Sequence, residues 1–221
     1  MLSKVYFPQT KILCPVLTLY LIPLIMSKKG VFYTVFFVGL VTVFYAIVSK
    51  WIKPNDTISV VQPFAFTNQD GRTVTNKDLE GKVYVAEYFF TTCTGICPKL
   101  NNNMRTVYEE FKDQENFLIL SHTCQPEIDS PEVLKKYADS MKVNTSRWIF
   151  LTGRKDSLYN MARVSYTIDD PVNNLKNIED DFLHTQFWAL VSEEGKVKKV
   201  YDGLKQSEVK AMISEIKRML K

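Results

Sequence analysis

VYVAEYFFTTCTGICP, residues Val83–Pro98, decides how this chain is read. Val83–Phe90 is a nearly continuous apolar run, as expected of a strand buried on both faces. Thr91-Thr92 ends it, Cys93 and Cys97 follow with three residues between them, and Pro98 comes next. Leu100, Met104, Val107, Tyr108 and Phe111 then recur at helical spacing. Proline is well tolerated where a helix begins, since its missing N–H would have no partner there. A strand, a turn holding two thiols and a helix opening behind them form one device. Thiols at a helix N-terminus meet unpaired N–H groups and the positive end of the helix dipole, which favours thiolate. Thiolates bind soft metals and exchange disulfides.

Strands and helices alternate outward from this point. Before it, Phe64–Thr67 and Arg72–Thr75 flank a turn at Asn68–Gly71 and predict a hairpin, followed by a single turn around Asp78-Leu79, capped by Thr75 or Asn76. After it come a strand at Phe117–Leu120, a helix from Pro131 with Ser130 as N-cap, a strand at Trp148–Leu151 and a helix at Ser157–Ser165. Tyr166–Leu183 is polar and reads as a loop or insertion. Gln186–Val191 and Val197–Tyr201 predict a second hairpin, and Val209, Met212, Ile213, Ile216 and Leu220 mark a closing amphipathic helix. Hairpin, βαβαβα, hairpin and helix imply an α/β domain with a mixed sheet and helices on both faces. Sites in such sheets lie beyond the C-terminal ends of the parallel strands, where Cys93, Cys97, His122 and Cys124 fall.

The 46% hydrophobic content is unevenly spread. Val31–Val48 carries no charge and is flanked by Lys28-Lys29 and Lys50-Trp51, the length and flanks of a membrane-crossing helix. Residues 31–49 are therefore assigned to a retained anchor, residues 50–62 to a tether and residues 63–221 to the α/β domain. Residues 1–30 admit three readings: a second inserted segment, a signal-peptide core, or translation starting at Met26, which is preferred because MSKKG then precedes the anchor. Cys14 lies in this segment and is given no role. Lys28 and Lys29 place that end in the cytoplasm and the domain in the periplasm or an equivalent space, as a single-pass inner-membrane protein. A net charge of +4 without a basic, aromatic-interleaved stripe argues against nucleic acid as a partner.

Outside the cytosol, thiols are paired, protected or used. A disulfide closing so small a ring as Cys93–Cys97 would stabilise little. If the turn is helical from Cys93, both sulfurs point at one centre, where they would select Cu(I), or zinc less specifically, with an imidazole as the natural third ligand. The chain has two histidines. His184, between the polar loop and a buried strand, is either such a ligand or a surface residue. His122 reads as a hydrogen-bonded histidine at a strand end, and Cys124 as a small buried apolar residue or a third thiol within reach.

The same residues resemble the Sco/SenC family. Gly81-Lys82-Val83 through Cys97-Pro98, Gln125-Pro126-Glu127 with Asp129–Tyr137, Trp148–Gly153 and His184-Thr185 carry the resemblance, from about Phe64 to the C-terminus. It implies a thioredoxin-like fold and a membrane-tethered copper metallochaperone that aids assembly of a cytochrome oxidase copper site. Cys93, Cys97 and His184 would be the ligands of copper, as Cu(I) and in a further state as Cu(II), with a cytochrome oxidase subunit or another copper protein as partner. The chain departs from the family at Gln125, where aspartate is common, at Cys124, in place of an aliphatic residue, and at Leu183, in place of an acid before the histidine. Asp180 or Asp181 is expected to substitute for that last carboxylate.

Two other chemistries use the same thiols. In a thiol–disulfide reductase acting on a partner copper protein, Cys93 attacks and Cys97 resolves. The longer cysteine spacing, and His184-Thr185 where such enzymes carry a proline, lean toward metal. A peroxidase resembling P-x-x-x-T-x-x-C fits poorly, because Phe90 and Ala86 stand in the threonine and proline positions.

Overall fold

A computed structural model describes residues 27–51, 57–170, 178 and 181–221. Expectations for Cys14, Met26, Asp180 and part of the tether lie outside those residues. The chain divides into two compact units, one ending at Asn55 and the other spanning Asp56–Lys221.

The first unit is α1, Lys28–Trp51. Its Lys28–Ser49 stretch, with a mean hydropathy of 2.3, is long and apolar enough to cross a membrane. The hydroxyls of Thr34 and Thr42 donate to the carbonyls of Gly30 (2.9 Å) and Val38 (2.8 Å), so these polar groups are satisfied within the helix.

The second unit is built on one eight-stranded sheet. Its strands are β1 (Ser59–Val60), β2 (Ala65–Asn68), β3 (Thr73–Thr75), β4 (Val83–Phe89), β5 (Phe117–Thr123), β6 (Trp148–Thr152), β7 (Phe187–Val191) and β8 (Lys196–Asp202), in spatial order β1-β8-β7-β4-β5-β6-β2-β3. β4, β5 and β6 are parallel, while β7, β8 and the β2–β3 hairpin run antiparallel at either side. β1 forms within the stretch read as tether, pairing Ser59 with Val197 and Val60 with Lys196. Two residues offer no periodicity to read; the partner strand supplies the structure.

Period-two alternation along β4 splits the core. Val83, Val85 and Phe89 face the helices α2 (Cys97–Phe111), α3 (Pro131–Met141) and α5 (Gln206–Met219), packing on Met104, Val107, Leu134, Met212 and Ile216. Tyr84, Ala86 and Tyr88 face the other layer, with Leu158, Tyr159, Ala162 and Tyr166. Within that layer the spacing predicts one helix over Ser157–Ser165. It is α4 (Lys155–Asn160) followed by a π-helical turn at Met161–Ser165, in which Tyr166 N–H reaches the Met161 carbonyl at 2.9 Å.

β5 outruns its predicted end at Leu120 by Ser121, His122 and Thr123, all buried. His122 is thus inside the strand rather than at its end. Its ring stacks on Tyr88 at 5.0 Å, with Phe66 and Tyr166 edge-on, and neither ring nitrogen has a hydrogen-bond partner among the described residues. The expected hydrogen-bonded histidine is an imidazole in an aromatic box.

Candidate metal centre

The thiol turn lies beyond the C-terminal ends of β4 and β5, where their parallel pairing stops at Phe89 and Thr123. The helix begins at Cys97 and not at Cys93, with Pro98 in its first turn. The segment from Cys93 to Ile96 is a non-helical turn, started by the Cys93 N–H on the Phe90 carbonyl at 3.2 Å. The two thiols nonetheless lie near enough for each to shift the other's ionisation.

Their environments push the two thiols apart. Burial raises Cys93, but hydrogen bonds from the Cys97 thiol and from the backbone N–H groups of Cys97, Gly95 and Ile96 outweigh it and leave the Cys93 thiol below its ordinary range. Cys97 is buried, and desolvation together with the Cys93 sulfur pushes it up to about 12. Cys93, partly exposed, is the more readily ionised of the two thiols, and Cys97 holds its proton more firmly. The three described cysteines are unpaired. Cys124 is buried in the apolar layer with Tyr159, Leu183 and Ala162, and burial raises its thiol strongly, the chemistry of a small core residue.

Asp129, fully buried, fixes the turn. It accepts from the Thr91 N–H at 3.2 Å and from the hydroxyls of Thr91 and Thr123, tying the end of β4 to the end of β5. Gln125, in the position of the family's aspartate, accepts the Thr92 hydroxyl at 3.2 Å, one residue before Cys93. Beneath the pair lies Glu87, buried in β4 and accepting from Ser121 at 2.6 Å, while Ser121 accepts from the Trp148 indole at 2.8 Å. Burial lifts the Glu87 carboxyl to about 7.

His184 approaches from the other side. The segment before β7 alternates: Asp181 and Leu183 are buried, Phe182 and His184 exposed. Phe182 stacks on His184 at 6.3 Å and meets Phe90 edge-on at 5.4 Å. His184 also lines an open cleft with Thr185, Ile168, Asp169 and Ile96, the neighbour of Cys97. Among the described residues, no three His, Cys, Asp or Glu side chains are gathered closely enough to enclose a metal ion. The thiols are together, and His184 stands apart on the same edge of the sheet. The donor set of two thiolates and an imidazole suits copper chemically. Asp181 does not replace the acid missing at Leu183; it pairs with Arg163 at 2.6 Å, facing away from the histidine.

Sequence reasoning passed over Glu87, Asp129, Arg163 and Phe182 as parts of this region. Glu87 was legible as the lone charge in an apolar strand. Arg163, among Leu158, Met161 and Ala162, was a similar signal.

The comparisons with known proteins agree with this geometry. The SCO1/SenC family model matches residues 52–221. The SCO1 protein homolog of Bacillus subtilis is 33% identical over 159 residues, 71% of this chain and 81% of that protein. The structure of BsSco, a member of the Sco family of cytochrome c oxidase assembly proteins in which a disulfide switch was identified, is 31% identical with a TM-score of 0.63, covering 75% of this chain and 96% of that one. The copper-bound structure of Arabidopsis thaliana ScoI, 23% identical with a TM-score of 0.57 over 73% of this chain and 98% of its own, shares the fold. A thioredoxin-like domain with its thiol pair at the ends of two parallel strands, matched over nearly its whole length, places this chain in the SCO1/SenC family.

Proposed function

We propose that this chain is a membrane-tethered copper metallochaperone in which Cys93, Cys97 and His184 hold copper as cargo and pass it to a copper site of cytochrome oxidase. The observation that carries the reading is the neighbouring thiol pair at the C-terminal ends of β4 and β5, on the edge toward which Phe182 and His184 also turn. Two soft sulfurs bind Cu(I), and one imidazole completes a three-donor set that leaves a side open for transfer. Binding must expel the proton held by Cys97, so uptake is coupled to proton release. His184 closes on the pair when the ion arrives. Copper bound in the Arabidopsis relative and cytochrome c oxidase assembly in the BsSco family support the choice of cargo and target. α1 supplies the tether, with Lys28 and Lys29 on the cytoplasmic side of the inner membrane and the domain in the periplasm.

Anaerobic Cu(I) titration with X-ray absorption tests the site. Wild type is expected to bind one copper with sulfur and nitrogen neighbours, and His184→Ala to bind more weakly through sulfur alone. Sulfur-only coordination in wild type, unchanged by the substitution, would sink the three-donor site.

The asymmetry of the thiols favours a second reading, reduction of a partner's disulfide. An accessible thiolate at Cys93 attacks and the protonated Cys97 resolves, leaving a Cys93–Cys97 disulfide and a reduced partner. His184→Ala separates the two, because exchange with a disulfide substrate should survive it.

A further inference from the structure

We propose that Arg163 is the positioning residue for His184: by clamping Asp169 and Asp181 it sets the register in which the imidazole faces the thiol edge. The inference rests on the copper reading above and extends it to residues outside the donor set.

Arg163 is 4% exposed and sits in the π-helical turn, a distortion that in other proteins often marks functional sites. Its Nη1 and Nη2 donate to the two oxygens of Asp181 at 2.6 and 3.0 Å, and its Nε donates to Asp169 at 2.8 Å. One planar fork thus holds two carboxylates from opposite ends of the Asp169–Asp181 connection. The guanidinium also lies 5.5 Å from the Tyr159 ring centroid. The Tyr159 hydroxyl donates to the Cys124 carbonyl at 2.8 Å, and Tyr159 is buried in one apolar cluster with Leu183, so the same cluster holds the residue preceding His184. On the far side, the Thr185 hydroxyl donates to the Ile168 carbonyl at 2.7 Å.

These contacts fall on alternate residues, Asp181, Leu183 and Thr185. In extended backbone the side chains between them, Phe182 and His184, must point the opposite way. A slip of one residue would turn the imidazole inward and expose Leu183. The bidentate fork anchors Asp181 on the inward side by two charge-assisted hydrogen bonds, so removing either partner loosens the parity it fixes. A guanidinium stays protonated at any working pH, so Asp181 keeps its cation.

The test is a double-mutant cycle on the full-length protein in detergent: wild type, Arg163→Met, Asp181→Ala and His184→Ala, with each clamp variant also combined with His184→Ala. Cu(I) affinity is read by competition with a chromophoric chelator, and nitrogen coordination by the hyperfine structure of the Cu(II) form. Each clamp variant alone should lose roughly 10- to 100-fold in affinity and lose the nitrogen signature. Neither should weaken binding further once His184 is gone. Asp181→Ala leaves Arg163 on Asp169, so it decides the matter if Arg163→Met does not fold. Equal losses with and without His184, or single variants with wild-type affinity and an intact nitrogen signal, would overturn the clamp. Unchanged affinity in His184→Ala itself would instead overturn the copper-site reading on which the clamp depends.

Discussion

At the residue scale, His122 and Glu87 set two buried titrations against each other within neighbouring strands. Desolvation pulls His122 down to about 4, and the aromatic box offers it no hydrogen-bond partner. Between its ordinary value near 6.5 and about 4, the unfolded chain binds a proton that the folded one refuses, so stability falls as pH falls. Glu87 works in the opposite sense. Burial raises it from 4.5 to about 7, so across that interval the folded state keeps a proton that the unfolded one has lost, and stability falls as pH rises. Each slope is of order 1 kcal/mol per pH unit, and in the shared window they offset one another. Urea unfolding of the full chain at a series of pH values between the two should therefore show little contribution from the pair. His122→Phe should expose a decline with rising pH, and Glu87→Gln a decline with falling pH. Variant profiles that run parallel to wild type would rule out both buried titrations.

At the scale of elements, what fixes the site is how closely α2 and the β8–α5 corner approach. Gly203, between β8 and α5, donates its N–H to the Gln186 carbonyl at 3.0 Å and accepts from the Asn103 side chain of α2 at 2.7 Å. A Cβ there would lie 2.4 Å from a Trp188 ring carbon and 2.8 Å from Leu100. With its backbone held on both sides, Gly203→Ala should destabilise by about 1–3 kcal/mol in thermal unfolding, whereas Gly95→Ala, with open space around its Cβ position, should change stability little. Equal melting temperatures for Gly203→Ala and wild type would show that this corner yields. Elements that bury an apolar face were legible in advance: β4, α2, α3 and both hairpins stand about where periodicity placed them. The pattern ends β5 early because Ser121, His122 and Thr123 look like the end of a strand; their burial depends on Glu87 and an aromatic box remote in sequence, and on Asp129 a few residues on. The π turn left no mark in the pattern, since one wider turn scarcely changes helical spacing. The Cys93–Cys97 pair was legible from spacing alone. The inward side of Asp181 was not, because it depends on a guanidinium 18 residues earlier in the chain.

At the scale of the whole molecule, two units with different solvents share one chain. The domain buries both faces of its sheet under helices, whereas α1 exposes Phe32, Phe36, Phe37, Phe44 and Tyr45 along its length, an apolar surface that lipid would cover in the membrane-tethered protein proposed above. The proposed copper chemistry belongs on one side of that lipid. Where glutathione is plentiful the pair stays reduced without help; on the oxidising side it is exposed to disulfide formation and to copper exchange with partners. In the orientation proposed above, with Lys28 and Lys29 ahead of the span in the cytoplasm, the domain lies on that second side. Cys93, partly exposed and held toward thiolate, is a natural reporter, while buried Cys97 and Cys124 are not. With Cys14 replaced by serine, a membrane-impermeant maleimide added to reduced cells with permeabilised outer membranes should label Cys93 before lysis, and Cys93→Ser should abolish the signal. Labelling that appears only after the inner membrane is opened would reverse the orientation, and would leave the pair in a compartment where a periplasmic copper hand-over cannot occur.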